Sequence, residues 1–222
     1  MSESWFAARR AVLRYALASV AAASVSGAAA QATPPNKRVL LVVGDSLSAE
    51  YGLVRDAGWV KLLEQRLTRQ GLDQYIVVNA SISGETTSGG RTRLPALLQS
   101  HRPAVVVLEL GANDGLRGLP VDLTRANLRA MVEASQAAGA RVLLVGIRVP
   151  PNYGRDYAER FFATFGEVAR ETRAALTPFL LEGFADDMSL FQADRIHPNE
   201  KAQARMLDNV WPRLRPLLVA RK

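Results

Sequence analysis

The 222-residue chain contains no cysteine, which excludes disulfides, a thiolate nucleophile and cysteine-ligated metals. Histidine is nearly as scarce, with only His101 and His197. Two distant histidines form no ligand cluster, so neither a metal nor a cofactor is expected. The G-x-S-x-G nucleophile elbow is absent, as is the G-x-x-x-x-G-K-[ST] phosphate loop. The net charge is +7, from 28 Lys+Arg against 21 Asp+Glu, yet no dense basic run or aromatic-interleaved basic patch occurs. Arginines scattered through helical stretches describe a solvated surface and exclude nucleic acid as a partner. Some attraction to anionic lipid head groups is left open, so a transient membrane-lipid contact is compatible with this charge.

The N-terminus has its own character. Arg9, Arg10 and Arg14 precede a run of mostly small apolar residues from Tyr15 to Ala30. Ala28-Ala29-Ala30 and Ala30-Gln31-Ala32 both offer a small-x-small cleavage pattern. Residues 1–32 therefore read as a signal peptide and 33–37, with two prolines, as a linker. A transmembrane anchor is the competing reading, but spanning requires roughly 20 strongly apolar residues. Cleavage would leave the linker and one periplasmic or secreted domain over residues 38–222, expected to be a monomer. Arg9-Arg10 followed by Val12-Leu13 faintly resembles a twin-arginine export signal.

Strands and helices alternate in what remains. Val39 to Val43 is a continuous apolar run suited to a strand buried on both faces. Further strands are expected at Tyr75–Asn79, Ala104–Leu110, Arg141–Ile147 and Phe179–Leu181. Helices are expected over Gly58–Gln70, around Leu94–Ser100, over Leu123–Ala138 with a stop at Gly139, and over Tyr157–Leu176. A last helix takes Pro198 in its first turn and runs to about Leu218. This is the pattern of an α/β fold in three α/β/α layers, with a central parallel sheet of about five strands.

In such sheets the active site lies beyond the C-terminal ends of the strands. Ser46 follows the first strand, Asn79-Ala80-Ser81-Ile82-Ser83-Gly84 the second, and Gly111-Ala112-Asn113-Asp114 the third. The loop Arg148–Tyr153 follows the fourth, and Asp194-Arg195-Ile196-His197 precedes the last helix. Taken singly, each motif has a plain structural reading. Asp45-Ser46 can cap a helix, Gly84 can be a turn glycine, and Asp194 to Pro198 can be a helix entry. Their order and shared rim favour chemistry: a serine, a base and an orienting acid.

These blocks resemble the SGNH (GDSL) hydrolase family. Gly44-Asp45-Ser46-Leu47 matches its serine block, Gly84 its glycine block, Gly111-x-Asn113-Asp114 its asparagine block and Asp194-x-x-His197 its last block. Asn79 to Gly84, Gly115-Leu116-Arg117-Gly118 and Asn152-Tyr153-Gly154-Arg155 are similar to the bacterial periplasmic thioesterase/lysophospholipase/arylesterase branch. The resemblance implies a flavodoxin-like fold and a serine esterase acting on acyl esters or thioesters. It implies Ser46 as nucleophile, His197 as base and Asp194 as its orienter. The oxyanion donors would be the backbone N–H of Ser46 and of Gly84 and the Asn113 amide.

Leu116 and Leu119, in a glycine-flanked loop expected to act as a mobile lid, and Val149 and Pro150 opposite are the expected acyl-binding residues. Asp45 and Asp114 are expected to hold structure. Arg195, Ala112 and Glu85 depart from the residues frequent at their positions. A cell-wall carbohydrate deacetylase and a non-enzymatic lipid carrier are the alternative readings, but a carrier needs none of the four catalytic-type side chains.

Overall fold

Apolar runs at five places in the chain pair in parallel as β1 (Arg38–Gly44), β2 (Tyr75–Asn79), β3 (Val105–Glu109), β4 (Arg141–Val145) and β5 (Ala175–Thr177). Their order across the sheet is β2-β1-β3-β4-β5. The computed structural model describes residues 37–219, and the proposed signal peptide and most of the linker lie outside these. β1 and β3 sit at the centre, which is why Leu40 to Val43 and Val105 to Leu108 are apolar without alternation and buried throughout. The edge strand β2 is only half-buried along Ile76–Val78.

Helices cover both faces. α1 (Trp59–Arg69) packs with α6 (Gln203–Val219), while α4 (Val121–Ala137) packs between α2 (Thr87–His101) and α5 (Arg155–Thr172). Trp59, Leu63 and Leu67 form the buried stripe of α1, as their helical spacing requires. No helix among the described residues is long and apolar enough to cross a membrane.

Four expectations shift. The helix expected to reach Leu176 ends at Thr172, because Arg173 takes a left-handed conformation (φ 56°) and closes it. The chain is thereby freed to place β5 at Ala175–Thr177, beside Leu143–Val145, and not at Phe179–Leu181. Pro198 does not enter the last helix. It forms an isolated antiparallel bridge with Phe191, and Asn199 caps a short 3-10 turn, Glu200–Ala202, that leads into α6. Residues after β3 are not all loop: Ala112–Leu116 form a single-turn helix, α3.

Candidate active site

β1 delivers its C-terminal end into a tight turn in which Ser48 and Ala49 N–H groups bond the Asp45 carbonyl at 3.2 and 2.9 Å. Ser46 stands on that turn. From the far end of the chain, His197 points Nε2 at Ser46 Oγ at 2.9 Å. Asp194 Oδ2 meets His197 Nδ1 at 2.7 Å. A carboxylate only accepts, so Nδ1 carries the proton and Nε2 is free to accept the serine hydroxyl. Asp194 is held in turn, its Oδ1 accepting the N–H groups of Ile196 at 2.9 Å and His197 at 3.0 Å. Burial works to raise its pKa, but those N–H bonds and the His197 contact outweigh it and keep Asp194 below the usual carboxylate range. Arg195 adopts φ 59° inside this turn, which accounts physically for a position where glycine is at home.

Of the expected oxyanion donors, Ser46 and Asn113 line one cleft and Gly84 does not line it. Gly84 has φ 81°, with open space where a side chain would be. Among the described residues, neither the Ser46 nor the Gly84 N–H meets an acceptor in the protein. The Asn113 amide donates to the Glu85 carbonyl at 3.0 Å and to Asp45 Oδ2 at 3.3 Å. Arg117 donates to the Gly84 carbonyl at 3.0 Å, and Glu85 is anchored by an ion pair to Arg93. Asp114 is buried and accepts from the Thr87 N–H at 2.8 Å and the Thr87 hydroxyl. It ties α3 to the start of α2.

A cleft of about 1080 Å³ opens from Ser46 and His197, and Leu116, Val149 and Pro150 line it. Leu119 does not line it; its carbonyl accepts the Tyr157 hydroxyl at 2.9 Å. The Tyr153 hydroxyl bonds the Leu116 carbonyl at 2.9 Å. The segment read as a mobile lid is therefore tied at two points. Gly115 permits its close approach to the wall, since a Cβ there would sit 2.2 Å from Val149 Cγ1. Sequence reasoning missed the opposite wall, made of Phe179, Leu181, Phe184, Met188 and Phe191. Its signal was three phenylalanines just ahead of the Asp194 block.

A family model for GDSL-like lipases and acylhydrolases matches residues 42–205. The chain belongs to that family. It is an ester hydrolase with the SGNH α/β fold. It is 54% identical over 181 residues to "Esterase TesA" of Pseudomonas aeruginosa, covering 82% of this chain and 90% of that one. It is 44% identical over 179 residues to "Thioesterase 1/protease 1/lysophospholipase L1" of Escherichia coli K12, 81% and 84% of the two chains. The crystal structure of a psychrotrophic esterase, EstA from Pseudoalteromonas, inhibited by monoethylphosphonate, matches with a TM-score of 0.78 and 43% identity. It covers 83% of this chain and all of that one.

Beneath Ser46 this acylhydrolase buries two acids. Asp45 and Glu109 are 0% and 2% exposed; Glu109 ends β3 paired with Gly44, and Asp45 follows Gly44 directly. Glu109 Oε2 accepts from Ser48 Oγ at 2.6 Å, and the Trp59 indole donates to the same hydroxyl at 3.2 Å. Asp45 Oδ1 accepts from the Leu47 N–H at 3.1 Å. Burial pushes Asp45 up to about 7, against hydrogen bonds from Leu47 and Asn113 that lower it. Burial also carries Glu109 well above the carboxylate range, and Asp45 beside it adds to the rise.

The folded protein therefore holds protons that an unfolded chain releases near pH 4. Stability falls as pH rises from about 4 towards 7, by about 1.4 kcal/mol per pH unit for each retained proton. Glu109→Gln should flatten this loss. Urea unfolding of both proteins at pH 5 and pH 8 checks it, and identical pH dependence would show that the pair does not carry the effect.

Proposed function

We propose that this family member is an exported serine esterase of broad acyl specificity, working through an acyl-enzyme on Ser46. The observation that carries the reading is the hydrogen-bonded chain Ser46–His197–Asp194 at the mouth of a largely apolar cleft. Ser46 Oγ attacks the acyl carbonyl while His197 Nε2 takes its proton, and Asp194 stabilises the imidazolium that results. The Ser46 and Gly84 N–H groups and the Asn113 amide receive the oxyanion. Asn113 keeps its bond to the Glu85 carbonyl and exchanges the longer one to Asp45 for the intermediate. The protonated His197 then protonates the leaving alcohol or thiol, and water repeats the sequence to free the acid and Ser46.

Relatives named esterase and thioesterase/lysophospholipase support ester or thioester substrates of small-molecule size. The phenylalanine wall and Leu116, Val149 and Pro150 would hold the acyl chain. The apolar side chains beside Ser46 suit a chain longer than acetyl, which favours the esterase over the carbohydrate deacetylase. Met188 and Ile196, 49% and 48% exposed on the rim, suit a monomer meeting lipid substrate transiently. Residues 1–32 would direct it to the periplasm or beyond.

The test is p-nitrophenyl ester hydrolysis from acetate to palmitate by the mature protein, with mass spectrometry after treatment with an alkyl phosphonate. Turnover extending beyond acetate and a single adduct on Ser46 are expected. Activity confined to acetate would favour the deacetylase, and no adduct would overturn the nucleophile.

A further inference from the structure

Tyr51 is the residue of the site that catalysis as described leaves unused. Its ring centroid lies 4.4 Å from that of His197, with the planes tilted by 39°. The residue is 51% exposed, so burial in the core does not explain where the ring sits. Among the described residues its hydroxyl has no hydrogen-bond partner; the contact is made by the ring.

The surrounding loop is built to hold it there. Glu50 takes φ 59° and uses its carboxylate to accept the N–H groups of Asp56 at 3.1 Å and Gly58 at 2.8 Å, closing the turn before α1. The Gln192 amide donates to the Tyr51 carbonyl at 2.8 Å, and the Gln192 N–H donates to the His197 carbonyl at 2.8 Å. One residue thus clasps the loop that carries the ring and the loop that carries the imidazole. Gly52 lies against the clasp so closely that a Cβ would come within 2.1 Å of Gln192 Oε1.

We infer that Tyr51 is a positioning residue for the general base, its ring confining the His197 imidazole to the rotamer that faces Ser46. The inference rests on the proposed roles of Ser46 and His197. Asp194 fixes one edge of the imidazole and Ser46 meets the other; the tyrosine ring occupies one of its faces. An imidazole swung away cannot accept the serine proton, and small misplacements of a reacting group cost large factors in rate. An aromatic face also favours the imidazolium that forms during proton transfer.

Tyr51→Ala should lower kcat by about tenfold while KM stays within about threefold. Tyr51→Phe should restore kcat, because the ring acts and the hydroxyl does not. Tyr51→Leu, which keeps an apolar filler in the loop, should lose kcat as alanine does. With two histidines in the chain, imidazole NMR separates the cases. The His197 ring protons should lose their ring-current shift in the alanine and leucine variants and keep it in the phenylalanine variant, with His101 unchanged as the reference.

Wild-type kcat in Tyr51→Ala, a loss confined to KM, or a phenylalanine variant as poor as alanine would overturn the inference. Ser46→Ala is assayed alongside. Retained turnover there defeats the proposed mechanism itself, whereas its loss beside an unaffected Tyr51→Ala defeats only the role of Tyr51.

Discussion

Ser46→Ala is expected to lower kcat/KM on a medium-chain p-nitrophenyl ester by at least about 10⁴-fold, because nucleophile and base work as a unit. The change removes one oxygen from a half-buried turn residue, and with it the 2.9 Å hydrogen bond to His197 Nε2. The fold should be unaffected. Oxyanion donors and cleft would remain, and with them a small residual rate over water. Steady-state kinetics with circular dichroism as a folding control decides the matter. Turnover within about tenfold of wild type, in a folded variant, would remove Ser46 from the mechanism.

Asp194→Asn should cost nearly as much, about 10²- to 10⁴-fold in kcat, for a different reason. The asparagine can still offer an oxygen to the N–H groups of Ile196 and His197, which Asp194 Oδ1 now serves. Its amide nitrogen then faces His197 Nδ1 where a carboxylate oxygen stood at 2.7 Å. That nitrogen donates, so the imidazole proton moves to Nε2, and Nε2 can no longer accept from Ser46. The backbone turn survives and the tautomer is wrong. KM should change little. An asparagine variant with wild-type kcat would show that Asp194 only shapes the turn.

The fold was legible where burial on two faces leaves an unbroken apolar run, as in β1 and β3. It was illegible where structure depends on an edge: β5 is three residues, Ala175–Thr177, and its placement follows from the left-handed stop at Arg173. The Ser46, Gly84, Asn113 and Asp194–His197 blocks were legible because each sits directly beyond a strand or before the last helix. The phenylalanine wall was not, since residues 179–191 have no period to reveal which side chains face inward. Nor was the Asp45–Glu109 pair, because Glu109 interrupts an apolar run and only strand register sets it opposite Gly44, next to Asp45. Tyr51 carried no signal in the sequence, since its contact with His197 depends on the Gln192 clasp.

The nucleophile and its base are separated by 151 positions, and this spacing sets when the protein can first act. Ser46 leaves the ribosome early; His197 arrives only with the closing segment, whose α6 packs on α1. Until that segment is seated, a growing or threading chain presents a hydroxyl of ordinary reactivity. Hydrolytic competence thus requires the closing segment to be seated, and ester turnover can serve as a clock for completion of the domain.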